Sequence, residues 1–129
     1  MINVTCAIIV KDKKVLVTQR SEIMKLPLKW EFPGGKIKEN ENGEECVLRE
    51  IKEELNIEIE IVGRLTNSNY NYGDVEINLI PFLTKFISGE LKLAEHLSAC
   101  WFHKEDLKKL DWAAADIPIM KEFISLHND

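Results

Sequence analysis

A mixed α/β fold, one sheet covered by helices on its faces, is what these 129 residues predict, and three observations lead to it. Apolar segments of strand length fill the first and middle thirds of the chain. Residues 43–55 carry the 3.6-residue period of an amphipathic helix, and a second helical pattern closes the sequence. The length suits one domain, residues 1–129, and is too short for two independent cores.

The elements follow in order. Val4 to Val10 is an apolar run, Lys11-Asp12-Lys13-Lys14 a charged turn, and Val15-Leu16-Val17 a second run, which together read as two strands joined by a turn. Pro27 and the Pro33-Gly34-Gly35 cluster break regular structure around Trp30-Glu31-Phe32 and leave a short strand between them. From Gly43 to Leu55, Val47, Ile51 and Leu55 fall on one apolar stripe with Leu48 at its edge. Glu50, Glu53 and Glu54 share a neighbouring face, while Glu45 and Lys52 point to solvent. Strand patterns resume over Ile57 to Leu65, Ser68 to Tyr72, Val75 to Phe86 around a Gly73-Asp74 turn, and Ser98 to Phe102. A helix from about Asp116 to Leu126 ends the pattern, with Pro118 in its first turn and Ile117, Met120, Phe123 and Ile124 at helical spacing.

The net charge of −5 has no basic tract beside it, which argues against a nucleic-acid polymer as partner. An acidic protein acting on a polyanion needs local cations or metal ions. Cys6, Cys46 and Cys100 form no C-x-x-C pair and read as reduced core thiols of a cytoplasmic protein. Val4 to Val10 is too short for a signal peptide or a membrane span.

The chemistry sits on the first helix. Glu50, Glu53 and Glu54 stand at i, i+3 and i+4, so three like charges project from one patch. Alone, such a trio is an ordinary solvated surface. Here Arg49 precedes it, Glu41 lies in the approach to the helix, a Gly-Gly pair offers backbone that a ligand can approach, and the carboxylates adjoin the buried stripe. Hard oxygen donors in that setting suit Mg²⁺, with Mn²⁺ as a substitute.

Residues 35–57 resemble the signature of the Nudix hydrolases, G-x5-E-x7-R-E-U-x-E-E-x-G-U with U a bulky aliphatic. Gly35, Glu41, Arg49, Glu50, Ile51, Glu53, Glu54 and Ile57 match it, and Asn56 replaces its last glycine. Asparagine tolerates the left-handed conformation that often ends a helix, so the change implies a small cost in stability and none in catalysis. The run from Trp30 to Lys36, Gln19-Arg20, Glu95-His96 before Trp101, and Ala115-Asp116-Ile117-Pro118 look like the MutT-like branch of nucleoside triphosphate pyrophosphohydrolases. The resemblance covers nearly the whole chain.

It implies an α/β/α sandwich and hydrolysis of a nucleoside triphosphate to a monophosphate and pyrophosphate in nucleotide-pool sanitation. It also implies that Glu50, Glu53, Glu54 and the Gly34 carbonyl bind the divalent ions, with Glu95 reaching in from a loop. By the same resemblance Arg49 orients Glu50, Glu41 supports loop and helix together with Gly35 and Asn56, and Glu50 or Glu95 takes the proton of the attacking water. Arg20 and Lys36 are natural partners for phosphate oxygens, or else ordinary surface charges. Phe32 is implied as a wall of the nucleobase pocket, though a strand phenylalanine serves equally as core. Ile80 is a further candidate wall; Tyr70 and Tyr72 read as structural.

Asp116 bears on the base. An ionised carboxylate only accepts hydrogen bonds and suits the exocyclic amine of CTP or dCTP, modified or not; a protonated one also donates and admits 8-oxo-dGTP. As an N-cap of the last helix it has a structural reading too. His96 adjoins Glu95 and the site; His103 and His127 read as surface residues. ADP-ribose or dinucleoside polyphosphates are the alternative substrates, and a nucleotide-sensing module without catalysis the alternative class. The expected partner is a small nucleotide, without a membrane, bound by a monomer or a homodimer.

Overall fold

The computed structural model describes residues 1–126. They form a mixed sheet with one main helix on each face, as the element order predicts. His127 lies outside the described residues. The strands are β1 (Ile2–Lys11), β2 (Lys14–Gln19), β3 (Trp30–Glu31), β4 (Gly34–Lys36), β5 (Ile57–Arg64), β6 (Ser68–Asn71), β7 (Glu76–Gly89) and β8 (Ser98–His103). The helices are α1 (Gly43–Leu55) and α2 (Ile117–Leu126). β1 runs parallel to β7 and every other pairing is antiparallel, with β3-β2-β1-β7-β5 as the spine, β4 beside β1, β6 beside β7 and β8 beside β2.

Alternation along the central strands divides the core in two. Cys6, Ile8, Val15 and Val17 turn to α2 and pack with Ile119, Met120 and Phe123. Ala7, Ile9 and Leu16 turn to α1 and pack with Val47, Ile51 and Leu55. β1 and β2 are thus buried on both sides, which is why their sequence reads as runs and not as alternation.

α1 starts on a capping box: the Asn42 side chain accepts Glu45 N–H at 2.8 Å and the Glu45 carboxylate accepts Asn42 N–H at 2.9 Å. It ends on Asn56 at φ 61°, ψ 33°, the left-handed conformation anticipated there. The last carbonyls of the helix, those of Glu54 and Leu55, accept N–H groups of Ala94 and Lys92 at 3.1 and 3.0 Å. The segment that carries Glu95 and His96 is therefore tied to the end of α1.

Several expectations need correction. Pro33-Gly34-Gly35 does not only break structure, because Gly34–Lys36 pairs with Val4–Cys6 as β4. Leu48 is exposed and Cys46 takes the buried place beside Val47. Cys100 is exposed on β8, so only Cys6 and Cys46 among the cysteines are buried. Ile80 faces the α1 side of the sheet, away from Ile77 and Leu79, as the period of two requires. A 3₁₀ helix at Lys104–Lys109 lacks any strong sequence signal. Among the described residues no helix is long and apolar enough to cross a membrane.

Candidate active site

The glycine pair fixes the geometry between β1 and α1. A Cβ on Gly34 would fall on the Thr5 carbonyl oxygen, and a Cβ on Gly35 would fall on the Glu50 carboxylate. Glycine is required at both by close approach. Glu50 is consequently pressed against the loop backbone.

Arg49 organises the acidic face. Its Nη2 and Nε donate to Glu41 at 2.7 and 3.0 Å, its Nη1 donates to Glu50 at 2.8 Å and Glu53 at 3.1 Å, and Nη2 reaches the Lys36 carbonyl at 3.2 Å. Glu41 also accepts Lys38 N–H at 2.9 Å. The guanidinium holds the Glu41 carboxyl well below its ordinary value, at about 2, with help from the Lys38 bond. One arginine thus joins the loop, the helix and two of the three clustered glutamates, a fork that lysine cannot reproduce.

Glu54 differs from its neighbours. Its side chain is largely buried, and Oε2 is buried without a hydrogen-bond partner. Burial first, then the Glu50 carboxylate and the charges of Glu31 and Glu95, push its pKa up to about 9. Glu53 is more exposed, and Glu95 is exposed on the loop after β7. An orphaned buried carboxylate oxygen beside two further carboxylates and a close-packed glycine loop fits a hard divalent cation. Among the described residues, no three Asp, Glu, His or Cys side chains already form a metal cage.

A cleft of about 600 Å³ opens beside this face. The glycine loop and Glu54 line it together with Phe32, Tyr72, Asp116, Arg20, Glu31 and His96. Lys36 borders the cleft and is exposed. Arg20 is engaged already, its Nη1 lying 3.0 Å from Glu31 Oε1. Phe32 is both core and cleft wall, buried and 4.9 Å from the Trp112 ring.

Asp116 directly precedes α2, and its carboxylate is engaged by the strand side of the site. It closes a 3₁₀ turn, Ala114–Asp116, and Oδ2 accepts Phe32 N–H at 2.9 Å; Trp30 N–H donates to Asp111 O and Ala113 N–H donates to Trp30 O, each at 2.9 Å, which lays this segment along β3. Burial raises its pKa well above the ordinary range, assisted by Glu31 and opposed by the Phe32 bond and Arg20. Tyr72 has a structural role, its hydroxyl accepting Ala115 N–H at 2.8 Å, and it also lines the cleft. Glu31 carried no sequence signal beyond an acid between two aromatics in a short strand. It sits 2.9 Å from buried His96 and within the Arg20 ion pair.

A glycine loop, an arginine-braced acidic helix and an adjoining cleft are the parts that the signature in residues 35–57 implies. The family model of the NUDIX domain matches residues 1–123. The chain belongs to the Nudix family. It is a Nudix hydrolase, 32% identical over 126 residues to a CTP pyrophosphohydrolase of Escherichia coli K12, a match spanning 98% of this chain and 93% of that one. A putative 8-oxo-dGTP diphosphatase 2 of Mycobacterium tuberculosis is 32% identical over 117 residues, covering 88% of this chain and 81% of the relative. The crystal structure of a MutT protein from Methanosarcina mazei Go1 superposes with a TM-score of 0.88 at 25% identity, over 99% of this Nudix chain and 96% of that one. The protein is a nucleotide pyrophosphohydrolase of MutT and CTP pyrophosphohydrolase type.

Proposed function

We propose that the chain hydrolyses cytosine nucleoside triphosphates, plain or modified at the base, to the monophosphate and pyrophosphate with Mg²⁺. The observation that carries this reading is the buried Asp116 carboxyl in the cleft wall, held by Phe32 N–H. Burial biases it toward the neutral acid, which sets a donor beside an acceptor. That pair matches the N3 acceptor and N4 amine of cytosine. The near full-length similarity to a CTP pyrophosphohydrolase supports the same choice. The acid also matches O6 and N7–H of 8-oxoguanine, and the similarity to 8-oxo-dGTP diphosphatases makes 8-oxo-dGTP the second substrate to test.

In this reading Glu50, Glu53, Glu54 and the Gly34 carbonyl hold the divalent ion, and Glu95 joins from its loop. When bound, the ion screens the phosphate charge, activates water and stabilises the leaving pyrophosphate. Arg49 keeps Glu50 aimed at the glycine loop, and Glu41, Gly35 and Asn56 keep loop and helix in place. Glu50 or Glu95 accepts the proton of the attacking water, and Glu50→Gln against Glu95→Gln distinguishes them. Lys36 takes phosphate oxygens at the cleft edge. Arg20 does so only by sharing its guanidinium with Glu31, and Phe32 walls the base.

The test is kcat/KM with Mg²⁺ for CTP, dCTP, 5-substituted dCTP, dGTP, 8-oxo-dGTP and ADP-ribose. The cytosine nucleotides are expected to lead. No turnover on any nucleotide of the panel defeats the enzymatic reading, and a lead for 8-oxo-dGTP, dGTP or ADP-ribose defeats the cytosine assignment.

A further inference from the structure

We propose that His96 is a positioning residue that couples the base-binding end of the cleft to the metal-binding carboxylate Glu54, an inference that rests on the reading above. The imidazole is buried, with its side chain 4% exposed, between two acids. Nε2 lies 2.9 Å from Glu31 Oε2, and Nδ1 lies 3.9 Å from Glu54 Oε2. A carboxylate only accepts, so Nε2–H donates to Glu31 and Nδ1 is left facing Glu54. Nδ1 of His96 and Oε2 of Glu54 are both buried, both lack a hydrogen-bond partner, and face one another beyond hydrogen-bond distance.

The connection continues on the other side. Glu31 is held by Arg20 at 3.0 and 3.2 Å, and the next residue, Phe32, donates its N–H to Asp116 at 2.9 Å. Contacts of hydrogen-bond length therefore run from the base-facing acid through β3 to His96, and the one long step is the last, onto Glu54. His96 is held firmly enough to set the direction of the Glu54 oxygen: Ala94 N–H and Leu97 N–H on either side donate to Glu54 O at 3.1 Å and Gln19 O at 2.9 Å. A group that orients a metal-binding carboxylate from behind acts through that carboxylate and touches no reacting atom.

The experiment compares wild type, His96→Ala, His96→Gln, Glu31→Gln and the Glu31→Gln/His96→Gln double variant. Mn²⁺ affinity is read by electron paramagnetic resonance without nucleotide, and kcat and KM are read with CTP. His96→Gln retains a donor that reaches Glu31 and loses the group facing Glu54. It is expected to melt cooperatively like wild type, to bind Mn²⁺ about 10- to 100-fold more weakly and to lose kcat to a similar degree with little change in KM. The double variant is expected to lose less than the sum of the single variants, because the two residues form one path.

Should His96→Ala fail to fold, His96→Gln alone decides. Mn²⁺ affinity and kcat equal to wild type in His96→Gln, or strict additivity with Glu31→Gln, overturns the coupling role. A wild-type protein that binds no Mn²⁺ overturns the functional reading as well. One that binds it equally with and without His96 overturns only the role of His96.

Discussion

Asp116 and Phe32, 84 residues apart, are joined by a 2.9 Å hydrogen bond from a backbone N–H to a buried carboxylate oxygen. The bond aligns the start of α2 with the strand that leads into the glycine loop. It also fixes the orientation of the Asp116 carboxyl in the cleft wall.

Asp116→Asn is expected to raise kcat/KM for 8-oxo-dGTP relative to dCTP by about tenfold or more, the usual worth of a well-placed base contact. The amide keeps its donor at every pH, whereas the acid, once ionised, only accepts and favours the cytosine amine over the O6 acceptor of an oxidised guanine, so the shift grows as pH rises. An unchanged substrate ranking would reduce Asp116 to a support for Phe32.

Two carboxyls are expected to tilt stability against pH in opposite directions. Asp116 is raised above its ordinary 3.8, so its share of stability is full below that value and is lost as pH climbs toward the raised one. Glu41 is lowered from 4.5 to about 2, so its share is full above pH 4.5 and is lost as pH falls to about 2. Thermal melts across pH should therefore lose part of their decline above pH 3.8 in Asp116→Asn and part of their acid-side decline in Glu41→Gln. A pH profile identical to wild type in either variant contradicts the corresponding assignment.

The two glycines are expected to fail differently when replaced. In Gly34→Ala the new methyl meets the Thr5 backbone oxygen, which sits in β1 and has nowhere to go, so the protein should melt markedly lower or not fold. In Gly35→Ala it meets the Glu50 side chain, which can swing away. That variant should fold and lose about 100-fold or more in kcat. Circular dichroism with turnover separates the two, and equal melting temperatures would refute the contrast.

Glu54→Gln should trade activity for stability. It removes a carboxylate that is largely buried, partnerless at Oε2 and surrounded by Glu50, Glu31 and Glu95. The metal-free protein is expected to gain about 1 kcal/mol, or ~4 °C in Tm, while turnover falls by several orders of magnitude. Glu53→Gln, whose carboxylate is half-exposed and paired with Arg49, should lose comparable activity without that gain. A Glu54→Gln protein that melts below wild type would show that the buried acid is not a strain on the fold.

The period of α1, its capping residues, the paired strands at the N-terminus and the signature from Gly35 to Ile57 are all local, so the sequence by itself determined the element order, the family resemblance and the acidic helix face. Even the departure at Asn56 was readable, because left-handed φ is a property of one residue. What tertiary structure alone decided was the company each acid keeps. Glu50, Glu53 and Glu54 are neighbours in sequence, yet burial leaves Oε2 of Glu54 without a hydrogen-bond partner while Arg49 holds the other two. Glu31, His96 and the Asp116–Phe32 bond stayed hidden for the same physical reason: each depends on contacts spanning from 11 to 84 residues, set by strand register and by the loop laced to the end of α1. Helical spacing reveals which charges share a face, but only packing determines which of them are removed from water and what then lies opposite.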